Sequence, residues 1–306
     1  KNAAKAGGVS LMALSLAACG GSSTTVTTPV VETPVVTPIV DAAKAMALTT
    51  GSDILTGGSG DDTINGSATS LTADDVLNGS GGTDTLTLSY AGTGATIIPN
   101  ATSIENIVVT NVGDTAALVV NLAAASGYND LKVVNSATTG DVTFSGMSAL
   151  ASLSHSGVGA SAQTTAIFAD ALTKGTSDEI TVNVADGSAI ILNVGGATAT
   201  NEFETYNIVS SGVANTVQDI LQSDGSALEG ANSTINISGS GDFTLGLATA
   251  AADTGATSTV NASTATGAVT VYLDDAMKTV TLGAGDDTLD ATLNKLAGDD
   301  TNQHIL

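Results

Sequence analysis

The chain has 306 residues, of which 30 are acidic and seven are basic, giving a formal net charge of −23 at pH 7. All the basic residues are lysine, tryptophan is absent, and aromatic residues make up 3% of the sequence. This charge excludes nucleic acid as a partner, because phosphate binding needs clustered Lys or Arg. A mean hydropathy of +0.29 argues against disorder. A core built from small aliphatic side chains favours a thin, repetitive β architecture.

The first residues have the pattern of an export signal. Lys1 and Lys5 precede a mostly apolar run, residues 8–18, and Cys19 follows directly. The run is too short to span a membrane, and its charged, apolar and small-residue segments are typical of a secretory signal peptide. The alternative is an ordinary signal peptide with an incidental cysteine.

The tetrapeptide Leu-Ala-Ala-Cys that ends at Cys19 resembles a bacterial lipobox. The resemblance implies that Cys19 is diacylated and becomes the new N-terminus. Because Gly20 is not Asp, it also implies sorting to the outer membrane. We therefore expect lipidation at Cys19 and a membrane attachment through this anchor.

Residues 57–65, Gly-Gly-Ser-Gly-Asp-Asp-Thr-Ile-Asn, match the nonapeptide pattern G-G-x-G-x-D-x-U-x in full, where U is apolar. The motif resembles the calcium-binding β-rolls of the repeats-in-toxin (RTX) family. The resemblance implies a glycine-rich turn whose carbonyls and Asp face Ca2+, followed by a short strand with one inward side chain. Calcium prefers about six to eight oxygen ligands, so no turn completes a site alone and stacking is coupled to ion binding.

Partial copies of the motif flank this match and recur near the C-terminus, with aspartates nine and thirteen residues apart. We predict that the calcium-binding turns contain Asp53, Gly57, Gly58, Gly60, Asp62, Asp75, Gly79, Gly82, Asp84, Gly285, Asp287, Gly298 and Asp300. The sequence stops within a repeat, which indicates a longer parent chain or a minimal end cap.

Between the two groups of repeats the periodicity loosens, but short β-branched runs separated by Gly, Asn or Asp continue. ATSIENIVV (101–109) and NEFETYNIV (201–209) are loosely similar segments of this kind. We predict an all-β fold, a right-handed parallel β-solenoid or β-roll with calcium-binding turns. A β-sandwich array is the alternative, and we expect helical turns in insertions such as 216–228.

The sequence divides into five expected segments. These are a lipoprotein signal peptide at 1–18, a Thr/Pro/Ser-rich tether at 19–46, an RTX-like β-roll at 47–90, an irregular β-solenoid at 91–279 and a second RTX-like segment at 280–306.

A catalytic arrangement is not apparent in the sequence. The histidines, His155 and His304, are far apart, and the serines beside His155 would point to the opposite face of a strand. We expect His155 to be exposed in a strand or turn. Isolated lysines and the lack of Arg disfavour a lyase, whereas paired carboxylates for glycosidic cleavage stay open. We predict that the protein is not an enzyme.

Alternation of β-roll units with Thr-, Val- and Asn-rich segments is similar to the surface-layer proteins of Gram-negative bacteria. The resemblance implies a structural protein at the cell outer-membrane surface, with Ca2+ as cofactor and self-association as its mode of assembly. The lipobox departs from RTX proteins, which are commonly exported through a C-terminal signal. The alternatives are a lipid-anchored adhesin for cell-surface glycans and, less favoured, an extracellular polysaccharide hydrolase or lyase.

Overall fold

The computed structural model describes residues 41–113, 117–198, 200–228, 233–246, 257–273 and 277–290. In these ranges the chain is all-β except for one short 3-10 helix, Asp170–Leu172. Every strand pairing among the described residues is parallel. The strands stack as a β-solenoid of about nine turns, which confirms the predicted fold class. Parallel pairing excludes the β-sandwich alternative, whose sheets are antiparallel.

The described strands, in chain order, are β1 Ala45–Ala47, β2 Ile54–Thr56, β3 Thr63–Ser67, β4 Val76–Asn78, β5 Thr85–Tyr90, β6 Ala95–Ile97, β7 Ala101–Thr102, β8 Asn106–Asn111, β9 Leu118–Asn121, β10 Ala125–Ser126, β11 Asp130–Val134, β12 Val142–Met147, β13 Ser152–Ser156, β14 Ala162–Phe168, β15 Glu179–Ala185, β16 Ala189–Gly196, β17 Thr205–Ser211, β18 Asn215–Leu221, β19 Ser233–Gly239, β20 Phe243–Leu245, β21 Thr257–Ala265, β22 Val269–Tyr272, β23 Thr279–Thr281 and β24 Thr288–Asp290.

The strands form three sheets that run along the solenoid. An 11-stranded sheet has the order β1-β3-β5-β8-β11-β13-β15-β17-β19-β21-β23, and a nine-stranded sheet has the order β24-β22-β20-β18-β16-β14-β12-β9-β6. A four-stranded sheet, β10-β7-β4-β2, is confined to the N-terminal part of the described chain. Neighbours within each sheet come from successive coils, so each coil packs mainly against the coils before and after it.

Alternating side chains explain how this composition fills a core. In β5, Leu86 and Leu88 are completely buried, whereas Thr85, Thr87 and Ser89 lie on the outer face. Because successive residues of a strand point to opposite faces, each strand needs only two or three aliphatic residues to face the core. The thin interior therefore uses the Val, Ile and Leu that the sequence supplies, as expected from its composition.

Three of the buried aromatic residues form a cluster in the core. Phe203 makes edge-on contacts with Phe168, at 5.2 Å between ring centroids, and with Tyr206, at 6.4 Å. All three side chains are fully buried. They fill the interior between neighbouring coils at this point of the solenoid.

Two sequence-based expectations were wrong. His155 is buried, with 2% of its surface exposed, because it lies two residues after Leu153 and shares that residue's inward face of β13. The region 216–228 is not helical: β18 runs through Asn215–Leu221, and its side chains point alternately into the core and outward along most of its length. The alternation of buried and exposed positions along β18 favours a strand over a helix there.

Several predictions lie outside the described residues, namely the signal peptide, Cys19, most of the tether, Gly298 and Asp300. The first described strand begins at Ala45, within the last residues assigned to the tether. Within the described ranges, no helix is long and apolar enough to cross a membrane.

Candidate calcium-binding turns

Two glycine-rich turns lie above one another in successive coils. The first turn, residues 57–62, joins β2 to β3, and the second turn, residues 79–84, joins β4 to β5. Thr56 pairs with Asn78 in the four-stranded sheet, so Gly57 stacks on Gly79. Thr63 pairs with Thr85 in the 11-stranded sheet, so Asp62 stacks on Asp84. The two sheets thereby fix both ends of each turn in register.

The acidic residue that ends each turn hydrogen-bonds to the backbone of the preceding coil. Lys44 N–H donates to Asp62 Oδ1 at 2.6 Å, and Asp62 N–H donates to Asp84 Oδ1 at 2.7 Å. Asp84 N–H donates in turn to Glu105 Oε2 at 2.7 Å. We call Asp62, Asp84 and Glu105 the acidic column. Its members place three carboxylates in a row at one corner of the solenoid.

Each glycine at the start of a turn leaves room for two oxygen atoms. A Cβ on Gly57 would lie closer than 3.0 Å to Asp62 Oδ2 and to the carbonyl oxygen of Gly79. A Cβ on Gly79 would lie equally close to Asp84 Oδ2 and to the carbonyl oxygen of Ser103. Any side chain at these positions would therefore displace oxygen atoms that converge from two successive coils.

A further glycine is required by the backbone itself. Gly82 has φ of +113°, and a Cβ there would lie 2.5 Å from the carbonyl oxygen of Gly60. Residues with a side chain rarely adopt this conformation. The stacking of Gly82 on Gly60 thus keeps the middle of the two turns in close backbone contact.

The two turns differ in how their carboxylates are satisfied. In the first turn, Gly58 N–H donates to Asp62 Oδ2 at 2.6 Å. In the second turn, the residue equivalent to Gly58 is Ser80, whose N–H donates to Asn78 Oδ1 instead, at 2.9 Å. Asp84 Oδ2 is consequently buried without a hydrogen-bond partner. A buried carboxylate oxygen without a partner lowers the stability of the folded state, and a cation beside Asp84 Oδ2 would offset this cost.

The electrostatics of the two carboxylates differ in the same sense. Backbone hydrogen bonds from Lys44 and Gly58, aided by the Lys44 ammonium, hold the pKa of Asp62 below its usual range despite its burial. Burial raises the pKa of Asp84 although Asp62 N–H opposes the shift, and the charges of Glu105, Asp62 and Asp61 raise it further. The charged form of Asp84 is therefore disfavoured until a positive charge is placed beside it.

The donor atoms fit a hard divalent cation. Carboxylate and main-chain carbonyl oxygens are the ligands that Ca2+ prefers, and both converge at Gly79. Among the described residues, no group of three or more His, Cys, Asp or Glu side chains is placed to hold a metal ion. A cation at this corner would therefore depend on carbonyl ligands from two coils, as the motif implies.

Lys44 places a positive charge at the N-terminal end of the acidic column. Its ammonium donates to the carbonyl oxygen of Gly57 at 2.9 Å, beside Asp62. The first turn thus has a positive charge supplied by the chain itself, which the second turn does not share.

We expect Lys44→Met to destabilise the protein by less than about 1 kcal/mol in chelator, because Lys44 is exposed and its attraction is screened. With saturating calcium the loss should shrink, since the cation then neutralises Asp62. Urea unfolding with and without calcium measures both values. Lys132→Met, which removes a lysine 3.2 Å from Asp130 on the outer sheet face, is the matched control. An equal calcium dependence of the two variants would contradict a role for Lys44 in the column.

A second corner holds Asp53 and Asp75, which precede β2 and β4. Asp53 N–H donates to Asp75 Oδ1 at 2.8 Å, the same coil-to-coil bond as in the acidic column. The other oxygen of Asp75 accepts from Thr72 N–H at 2.7 Å, and Asp53 Oδ2 accepts from Thr49 N–H at 2.7 Å. Main-chain donors therefore occupy these carboxylates, and the structure gives less reason for a cation here than at Asp84.

The C-terminal motif lies on the nine-stranded sheet, away from the acidic column. Asp287 Oδ1 accepts from Val269 N–H at 2.8 Å in the preceding coil, and a Cβ on Gly285 would lie 2.5 Å from the carbonyl oxygen of Gly267. Glycine stacking and a carboxylate bonded to the preceding coil thus recur at this end. The remaining predicted residues, Gly298 and Asp300, lie beyond the described chain.

Sequence inspection missed three residues that contact the two turns, namely Lys44, Ser103 and Glu105. None belongs to a nonapeptide motif, and Ser103 contributes only its main-chain carbonyl. The signal for Glu105 was its place directly before strand β8, as Asp62 and Asp84 directly precede β3 and β5.

Comparison with known protein families supports the assignment of the two turns. Residues 49–70 and 71–88 match the family model of the RTX calcium-binding nonapeptide repeat. These ranges contain both turns and both aspartate pairs, so the chain carries RTX-type calcium-binding repeats in this segment. Neither a search of curated proteins nor a search of solved structures found a match.

Proposed function

We propose that the protein is a calcium-dependent structural protein of the cell exterior. The observation that carries the proposal is the buried, unpartnered Oδ2 of Asp84, which faces a main-chain carbonyl within a segment of RTX repeats. RTX repeats are typical of secreted proteins. Calcium modules outside the cell bind weakly enough to respond to ambient calcium.

The mechanism follows from the charges of the acidic column. Without calcium, three stacked carboxylates repel one another and Asp84 is buried without compensation. Calcium neutralises them and joins the carbonyls of one coil to the carboxylate of another. Because the site exists only when the coils are stacked, binding free energy becomes folding free energy.

A structural component of a surface layer or matrix is the role we favour within this class. Continuous parallel sheets and a core of small residues make an extended scaffold rather than a catalytic cleft. Attachment through a lipidated Cys19 and self-association into a layer complete the proposal.

The test is a calcium titration of the purified chain, prepared in chelator and followed by circular dichroism and light scattering together. We expect a cooperative gain of β-sheet signal and then growth to large particles, with magnesium much less effective because it tolerates such ligand sets poorly. A complete β signal in chelator that calcium leaves unchanged would reject the calcium dependence. A gain in signal without particle growth would reject the layer and retain the calcium-dependent fold.

One observation favours a glycan-binding adhesin as the second candidate. An open groove of about 570 Å³ is lined by polar side chains, among them Lys174, Asn201 and Glu204. Hydrogen-bonding groups of this kind suit sugar hydroxyls. Binding of polysaccharide to the calcium-loaded monomer would shift the assignment to this function.

A further inference from the structure

The coil that follows the second turn lacks a glycine-rich motif but presents equivalent groups. Its turn consists of Ser103, Ile104 and Glu105, between β7 and β8, and we call it the third turn. Asn78 pairs with Thr102, so Ser103 stacks on Gly79. Thr85 pairs with Asn106, so Glu105 stacks on Asp84. The third turn is three residues shorter, yet both of its ends stay in register with the second turn.

The third turn repeats the contacts of the two turns before it. Glu105 Oε2 accepts from Asp84 N–H at 2.7 Å, just as Asp84 Oδ1 accepts from Asp62 N–H at 2.7 Å. The carbonyl oxygen of Ser103 faces Gly79, just as that of Gly79 faces Gly57. Ser103 has φ of +51°, a left-handed conformation that is uncommon for serine. The short turn thus holds its carbonyl and its carboxylate where the glycine-rich turns hold theirs.

The column ends at this turn. Asn106 pairs with Asp130, so the next residue in line with Glu105 is Asn129, which is neutral. Asn129 N–H donates to the backbone carbonyl of Glu105, at 2.9 Å, and not to a side chain. Glu105 is therefore the last carboxylate of the column.

One further observation points to a ligand at this place. Asp84 Oδ2 has no hydrogen-bond partner, and Asp84 is 2% exposed. This oxygen and the Ser103 carbonyl oxygen both lie closer than 3.0 Å to the position that a Cβ on Gly79 would occupy. Two oxygen atoms with partial or full negative charge face the same space there, which is unfavourable unless a cation lies between them.

We propose that the Ser103 carbonyl and the Glu105 carboxylate form, together with Asp84, a calcium site between the second and third turns. This site extends beyond the matched repeats and rests on the proposed calcium-dependent function. Asp84 and Glu105 balance the charge of one divalent cation. The third turn acts as a glutamate variant of the repeat, in which one additional methylene group compensates for a shorter turn.

The test compares Glu105→Gln with wild type in calcium-binding calorimetry on the full chain. Glutamine keeps an oxygen that accepts from Asp84 N–H but removes the charge. We expect one calcium ion to bind about tenfold more weakly or to be lost, because calcium affinity depends on the number of charged ligands. Glu204→Gln is the matched control, since Glu204 Oε2 accepts from Asp178 N–H at 2.8 Å in the same way without adjoining a glycine-rich turn. Calcium binding by that variant should equal wild type.

A third variant, Glu105→Asp, separates charge from folding. It retains the carboxylate but loses the methylene group that compensates for the shorter turn, so we expect its calcium affinity to lie between those of wild type and Glu105→Gln. A calcium affinity of Glu105→Asp below that of Glu105→Gln would mean that Glu105 acts through its length and not through its charge, and would overturn the proposal. Wild-type calcium binding by Glu105→Gln would overturn it too, while leaving the proposed function intact. Absence of calcium binding in wild type would overturn both.

Discussion

Replacing Gly79 with alanine is expected to lower the free energy of unfolding by about 1–3 kcal/mol, the usual cost of overpacking. The new methyl group would lie closer than 3.0 Å to the Ser103 carbonyl oxygen and to Asp84 Oδ2. A backbone carbonyl cannot rotate away as a flexible side chain can, so the coils must move apart. Because the same space separates the proposed calcium ligands, the stabilisation by calcium should fall as well. Urea unfolding in chelator and in saturating calcium measures both effects.

The same turn offers a matched control. A Cβ on Gly81 would come no closer than 3.7 Å to any atom of another residue, which is ordinary van der Waals contact. Gly81→Ala should therefore change stability by less than about 0.5 kcal/mol, as for most substitutions that disturb no close contact, and leave the calcium response intact. If the two alanine variants lose stability equally, the close approach at Gly79 does not contribute to the site.

The second large effect is expected from His155, through the pH dependence of stability. Burial lowers the pKa of His155 to about 4, against the opposing influence of the Asn183 backbone and of Asp130. Its Nε2 lies 3.0 Å from Thr164 Oγ1 across the core. The unfolded chain, with an ordinary pKa of 6.5, binds the proton more readily. Stability from neutral His155 is thus complete above pH 6.5 and is lost as the pH falls towards 4.

Because the unfolded chain binds one more proton than the folded chain in this range, the free energy of unfolding should fall by about 2 kcal/mol between pH 6.5 and pH 4.5. Urea unfolding across this range, with calcium kept saturating so that the carboxylates stay loaded, measures the slope. His155→Leu removes the titrating group while keeping the inward position filled. The free energy of unfolding plotted against pH should have a slope that is flatter by about one proton in this variant. The variant's absolute stability is not the criterion, since Thr164 also loses a hydrogen-bond partner. An unchanged slope would show that other groups cause the acid sensitivity.

The fold was predictable because its determinants repeat along the sequence. Few aromatic residues, many β-branched ones and glycine-aspartate turns limit the chain to thin, stacked coils. The motif at 57–65 also located the first turn correctly, because its glycine and aspartate positions follow directly from the spacing. These properties are local, so they can be recognised in the sequence without knowing which coils are neighbours.

The acidic column was only partly predictable because it is defined across coils of unequal length. Asp62 and Asp84 are 22 residues apart, whereas Glu105 follows Asp84 after 21 residues and a shorter turn. No fixed period connects these three residues, and the four-stranded sheet is what brings Ser103 above Gly79. Every residue also has a main-chain carbonyl, so the residue type does not reveal which carbonyls face the acidic column. The third turn therefore became visible only in the structure.

Lys44 and His155 illustrate two further limits. Lys44 lies in a stretch that was expected to be part of the tether, and only the pairing of β1 with β3 brings it to the first turn. His155 was expected to be exposed in a strand or turn, but the alternation Leu153-Ser-His155 places it on the same inward face as the leucine. In such a narrow core, the position of a residue in the inward-outward alternation of its strand determines its burial more strongly than its residue type does.

The stacking of coils also determines how the molecule would respond to mechanical force. Hydrogen bonds between coils run along the long direction of the sheets, and each coil is held mainly by its two neighbours. Tension applied at Ala45 would load the bonds between β1 and β3 first, and later coils only after the earlier ones had peeled away. Because the acidic column lies in these leading coils, ambient calcium would set the force at which they yield. Under strain the protein would then lengthen stepwise, and dissolved calcium would control how readily it begins to extend.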